Sequence, residues 1–174
     1  EDMDRIDTFI KTAKPRHAVV VGASFIGLEA VEALVRRGLK VKLIEQSPCA
    51  MPILDPEFSL QVQESLLASG IEILTDTKVT SIGNQHHGMT IQSMRSTGNE
   101  PTETQSRDLH AELIILATGV RPNTALALDC GLEIGHTGGL VVNRHLQTSH
   151  DSDIYVAGDL AEVPFRSDRL AVRM

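Results

Sequence analysis

The chain is poor in aromatic residues, with four Phe, one Tyr and no Trp among 174 residues. It is also short of positive charge, with 16 Lys and Arg against 23 Asp and Glu and a formal net charge of −7. A nucleic-acid groove draws on basic charge and stacking rings, so these shortages argue against a nucleic-acid partner. Only two cysteines are present, Cys49 and Cys130. They are far apart and neither sits in a C-x-x-C, so the expectation is a reducing, cytoplasmic setting with both thiols used in packing. No apolar run approaches the roughly 18 residues of a membrane-spanning helix, and no membrane contact is expected. The adjacent histidines His86 and His87 fall in a polar turn between strand-like segments. Neighbours on a strand point to opposite faces, which makes the pair a poor chelate, and no metal site is expected. The start, Glu1-Asp2-Met3-Asp4-Arg5, is acidic and polar, unlike a secretory signal. Without an initiator Met it suggests a piece of a longer protein.

The run Val19-Val20-Val21-Gly22-Ala23-Ser24-Phe25-Ile26-Gly27-Leu28-Glu29 carries the most information. Three β-branched residues predict a buried strand, a glycine turn follows, and an apolar-periodic helix opens through Leu28, Val31, Leu34 and Val35 to Gly38. Such a helix N-terminus offers unpaired N–H groups and the positive end of the macrodipole to a phosphate. Gly22 permits the turn and Gly27 lets helix and strand pack closely, as in a dinucleotide-binding fingerprint. The middle glycine of that fingerprint is Ser24 here, whose Cβ would crowd a pyrophosphate and whose hydroxyl could partly offset this. Glu45 ends the next strand, about 20 residues past the glycines, where a carboxylate accepts the adenosine ribose hydroxyls. It would repel a 2′-phosphate, and Gln46-Ser47-Pro48 bring no cation to neutralise one. NADH is therefore expected over NADPH, and Glu45→Arg is expected to shift the preference.

The 41% hydrophobic content suits one or two globular domains. Residues 1–14 read as a polar lead-in with one amphipathic stretch from Ile6 to Ile10. Strands are expected at 17–21, 40–44 and 71–74, and helices at 25–37 and 57–69. The second helix shows Asp55 as N-cap, Pro56 at its first position, Gly70 after its end, and Phe58, Val62, Leu66 and Leu67 on one face. Three strands at 79–82, 89–94 and 102–109, with turns at 84–88 and 97–101, form an antiparallel meander, and 113–117 returns as a buried strand. The fold class is α/β: a Rossmann-like, three-layer dinucleotide-binding domain with a parallel sheet and an antiparallel β-meander over residues 15–118. Short strands at 139–142 and 154–157 alternate with turns in residues 119–174, which look incomplete.

Three later segments resemble the flavin-dependent pyridine nucleotide-disulfide oxidoreductases. Ala117-Thr118-Gly119-Val120-Arg121-Pro122-Asn123 resembles the crossover A-T-G-x-R-P-N. Leu146-Gln147-Thr148-Ser149 and Ile154-Tyr155-Val156-Ala157-Gly158-Asp159 resemble the second flavin motif, and Leu54-Asp55-Pro56-Glu57 the family's L-D-P-E. The likeness covers about residues 15–165 and is strongest to the group of NADH oxidases, coenzyme A-disulfide reductases and ferredoxin reductases. It implies that Gly22, Ser24 and Gly27 form the NAD pyrophosphate turn, with Phe25 and Ile26 presenting backbone N–H. It also implies that Glu29 and Gly119 lie near the nicotinamide end, that Glu45 takes the ribose, and that Asp159 bonds the ribityl and pyrophosphate region of FAD. Residues 119–174 would then be a partial return of the FAD-binding domain, with Leu140, Val141, Ile154, Tyr155 and Val156 short of neighbours.

The family's first flavin turn, redox-active cysteine and dimerisation domain have no counterpart here. The resemblance therefore implies an enzyme whose full length is a homodimer and passes hydride from NADH to FAD, then to a disulfide, persulfide, oxygen or electron carrier. This chain alone would be inactive, with no catalytic acid or base of its own. The alternative is a stand-alone NAD-binding module without catalysis.

Overall fold

The computed structural model describes residues 2–85, 88–96, 104–164 and 171–173. His86, His87 and the turn expected at 97–101 lie outside them. The chain divides into two compact units, Glu1–Gly119 and Val120–Met174.

In the first unit, β1 (His17–Val21), β2 (Lys40–Ile44), β3 (Glu72–Leu74) and β7 (Leu113–Leu116) form a parallel sheet in the order β3-β2-β1-β7. Three strands, β4 (Thr77–Gln85), β5 (Gly88–Ser96) and β6 (Thr104–Ala111), form an antiparallel meander with a bulge between Val79 and Ser81. Helices α1 (Asp2–Ala13), α2 (Phe25–Arg36) and α3 (Pro56–Ala68) complete the unit. The strand β1 explains the layering. Ala18 and Val20 join the cluster made with Val31 and Leu34 of α2, whereas Val19 and Val21 join Ile91, Leu109 and Ala111 of the meander. Both faces of the sheet are covered, so its central strand is an unbroken apolar run rather than an alternating one. This is the expected α/β architecture.

The lead-in is more ordered than its sequence suggested: α1 spans nearly all of it, with Asp2 and Asp4 in its first turn and Lys11 in its last. None of its residues is buried, and Ile10 packs at the margin of the core. At the start of β1, Glu112 accepts the N–H groups of Arg16 and His17, both at 2.7 Å. Those bonds, the His17 one foremost, hold its carboxyl below the usual carboxylate range.

One reading of α3 is corrected. Pro56 occupies its first turn and Ser69 and Gly70 close it, as expected, but Asp55 makes no side-chain cap bond; its main-chain carbonyl accepts from Phe58 and Ser59 instead. The inward stripe is Ser59, Val62, Gln63 and Leu66, whereas Phe58 is 51% and Leu67 54% exposed. The first two polar positions of this stripe are occupied by hydrogen bonds to the loop below, which apolar periodicity does not register.

The second unit holds α4 (Ala125–Asp129), β8 (Leu140–Val141), a 3-10 turn at Gly158–Leu160, β9 (Ala161–Pro164) and β10 (Ala171–Arg173). Its sheet runs β10-β9-β8. The strand expected at 154–157 forms only an isolated bridge, Gln147 to Tyr155, and Gly158 then turns the chain into β9. Leu140 and Val156 do not lack neighbours; they are buried with Ala127, Leu132, Val142 and Ala161, and Tyr155 stays exposed. Cys130 caps the end of α4 and is exposed rather than packed.

Candidate functional site

The C-terminal ends of β1, β2 and β7 converge on the glycine turn. Gly22 donates to the Ile44 carbonyl at 2.8 Å, and Ala117 donates to the Val21 carbonyl at 2.7 Å. Gly22 has φ +102°, and a Cβ there would run into the Ala117 carbonyl. A Cβ on Gly27 would run into the Gly22 carbonyl. Both positions demand glycine through backbone contact, so no flexible side chain could move aside.

Ser24 is the N-cap of α2, with φ −89° and ψ −175°, an extended conformation open to any residue, and it forms no side-chain cap bond. The amides that follow it, on Phe25, Ile26 and Gly27, have no acceptor within the helix. The Phe25 and Ile26 side chains are 62% and 53% exposed. An anion set before this helix meets unpaired N–H groups and the positive end of the dipole. One turn on, Glu29 is exposed, and with Ile26 and Leu116 it lines a groove of about 1150 Å³ between α1, α2 and β7.

Glu45 directly follows β2 as expected, but its carboxylate is already in use. It is buried, 7% exposed. Its Oε2 accepts from the Ala23 N–H and its Oε1 from the Ser47 N–H, both at 2.8 Å. Each oxygen keeps a second lone pair for a hydroxyl donor. Glu45→Arg would therefore remove one bond from the glycine turn and one from the loop after β2 as well as change the charge, and is not a clean specificity swap.

Gly119 ends the first unit, two residues past Ala117, with open space where a side chain would project. Asp159 belongs to the second unit, in the 3-10 turn after Gly158, and is exposed. The structure thus gathers Gly22, Ser24, Phe25, Ile26, Gly27 and Glu45 around one turn.

Sequence reasoning missed the supports of this turn. The loop after β2 crosses beneath it, and Met51 donates its N–H to the Ala23 carbonyl at 2.8 Å. It also missed Glu162, buried at 4% exposure in the second unit. Its Oε1 accepts from the His136 N–H at 3.0 Å, and its Oε2 accepts from the Thr137 N–H at 2.7 Å and the Thr137 hydroxyl at 2.5 Å. Burial raises its pKa, but the Thr137 hydroxyl and the two N–H groups outweigh burial and hold the carboxyl below the usual range. No residue spacing marks such a pairing in advance. Among the described residues no cluster of His, Cys, Asp or Glu could hold a metal ion, and no helix is long and apolar enough to cross a membrane.

Known proteins resemble this chain in sequence and in fold. The chain is 32% identical over 162 residues to the NAD(P)H sulfur oxidoreductase (CoA-dependent) of Pyrococcus furiosus, covering 92% of this chain and 34% of that protein. It is 31% identical over 166 residues to the nitrite reductase (NADH) large subunit of Escherichia coli, covering 92% of this chain and 18% of that one. The structure of reduced CoADR-RHD from Bacillus anthracis matches 99% of this chain and 29% of its own, with a TM-score of 0.85 and 32% identity. The chain thus spans about a third or less of the length of these relatives. The profile of one family matches residues 1–173, the glycine turn and the Gly158-Asp159 turn included. With identity above 30% along nearly the whole chain, it follows that the chain belongs to the pyridine nucleotide-disulphide oxidoreductase family.

Proposed function

We propose that this chain is the NADH-binding domain of a flavoprotein oxidoreductase, joined to a return segment of its FAD-binding domain. The observation that carries the reading is the glycine turn. Gly22 and Gly27 admit no side chain, unpaired amides follow, and a carboxylate ends the neighbouring strand. In this reading residues 15–118 bind NADH and residues 119–174 belong to the flavin half. The pyrophosphate lies at the amides of Phe25 and Ile26, the adenosine ribose donates to Glu45, and Glu29 and Gly119 lie toward the nicotinamide. Asp159 fits a flavin contact, because its carboxylate is exposed on a turn and open space surrounds the preceding glycine.

Hydride transfer from NADH to FAD, and electron delivery to a disulfide, persulfide, oxygen or carrier, is chemistry that the cofactors supply. This chain's residues bind and orient, and no protein acid or base is needed for the hydride step. Membership of an enzyme family supports this over a binding module without catalysis. A reducing, cytoplasmic setting and a homodimer of the full-length protein belong to the same proposal.

The test is calorimetric titration of the full-length protein with NADH and NADPH, together with bleaching of its flavin absorbance on NADH addition. NADH should bind more tightly, because Glu45 repels a 2′-phosphate. Equal or tighter NADPH binding overturns the specificity, and a protein without flavin overturns the flavoprotein reading.

A further inference from the structure

We propose that Ser59 is a positioning residue for the dinucleotide turn, acting through Met51 and Ala23. The proposal rests on the reading of that turn as the NADH site. Ser59 is the single buried residue of α3, at 0% exposure. A hydroxyl so deep in a protein needs a partner. It does not bond back to its own helix; its Oγ donates to the Met51 carbonyl at 3.0 Å.

Met51 is unusual in turn. Its φ is +54°, a left-handed conformation rare for a side chain of this size, and it is 3% exposed. A residue held this way persists only where its surroundings fix it. Three bonds do so: the Ser59 hydroxyl and the Leu54 N–H, each at 3.0 Å, donate to its carbonyl, and its own N–H donates to the Ala23 carbonyl at 2.8 Å. Next along the loop, buried Ala50 donates its N–H to Gln63 Oε1 at 3.4 Å. Ser59 and Gln63 stand one helical turn apart, so α3 grips the loop twice on one face.

Ala23 sits between Gly22 and Ser24 and is held from both sides, its N–H by Glu45 and its carbonyl by Met51. The amides that meet the pyrophosphate begin two residues later. The line Ser59–Met51–Ala23 therefore ties the resting position of the phosphate-binding turn to helix α3. Fixing a site in its bound geometry before the ligand arrives lowers the cost of binding.

The test compares Ser59→Ala, Gln63→Met and Leu66→Ala in the full-length protein. Leu66 packs against the core from the same helix face and has no part in the loop contacts given above. The measurements are Kd for ADP-ribose and for NADH, the KM for NADH, and Tm. Ser59→Ala should raise both Kd values and the KM by about fivefold to tenfold, the value of one hydrogen bond, with the loss in KM rather than kcat. Gln63→Met should raise Kd by about twofold, its bond being longer. Leu66→Ala should lower Tm at least as far as Ser59→Ala and leave both Kd values unchanged. If Ser59→Ala binds ADP-ribose as the parent does, or if Leu66→Ala weakens binding equally, Ser59 has no positioning role. A wild-type protein that binds neither ligand removes the NADH site itself, and the positioning role with it.

Discussion

The two units of this chain are held together differently. In the first, order comes from apolar strands covered on both faces, with β1 sending alternate residues into two separate clusters. The second has one apolar cluster among the described residues, and side chains that bind backbone hold its turns. Glu162 holds the turn at His136 and Thr137. Asn143 Oδ1 accepts from the N–H groups of His145 and Gln147, and the Thr148 hydroxyl donates to the Asp151 carbonyl. Apolar layers tolerate exchange of one residue for another of similar size. A turn held by one carboxylate does not, because removing the acceptor strands three donors at once.

The largest effect should come from the glycine turn, where the first unit has no such tolerance. Gly27→Ala puts a methyl group into the Gly22 carbonyl, a backbone atom that cannot rotate aside. Helix α2 would have to lift from the sheet and carry the Phe25 and Ile26 amides with it. We expect a loss of roughly 3 kcal/mol in chemical denaturation, at the upper end for overpacking, and no measurable dinucleotide binding. Full retention of both would show that the first unit yields as readily at the glycine turn as in its apolar layers.

The next effect belongs to the second unit. Glu162→Gln exchanges one acceptor oxygen for an NH2 that faces an N–H group, with an expected loss of about 2 kcal/mol. The loss should appear as faster hydrogen exchange at Gly135–Gly139 and not in β1. A pH dependence sharpens this. The folded carboxyl lies below its ordinary value of 4.5, so the stability it contributes is fully present above that pH. It is lost as pH falls from there through the folded value. Glu162→Gln should flatten the acid response of these amides in that window. An unchanged response would mean that the turn is held by something other than this carboxylate.

The same contrast decides what could be read from sequence. Val19 to Val21, the glycines and the position of Glu45 follow local rules of periodicity and spacing, and they foretold the sheet and the turn. The limits of α3 were legible from Pro56 and Gly70, because capping is local too. Its buried face was not, since Ser59 outranks Phe58 there for a reason that lies in the loop at Met51. The left-handed Met51 has no glycine to announce it. The place of Glu45 beside the glycine turn was legible, but its two bonds to Ala23 and Ser47 were not, because they depend on where the chain returns. Long-range side chain–backbone bonds leave no periodic trace.

The smallest effect should be at Ser24, where the sequence departs from the fingerprint glycine. The departure looked costly because a Cβ would crowd a pyrophosphate. Its backbone, at φ −89° and ψ −175°, needs no glycine, and its hydroxyl makes no cap bond to the helix. Serine is therefore at ease in the free protein and contributes little through its side chain. Ser24→Gly should change stability by only a few tenths of a kcal/mol, the usual cost of glycine at an N-cap. Its NADH affinity should equal or exceed that of the parent, because removing the Cβ opens the approach to the Phe25 and Ile26 amides. Calorimetry checks this directly. A tenfold loss of affinity would give Ser24 a direct hydrogen bond to the phosphate. The glycine turn would then bind with a side chain, as the second unit holds its turns, and not with backbone alone.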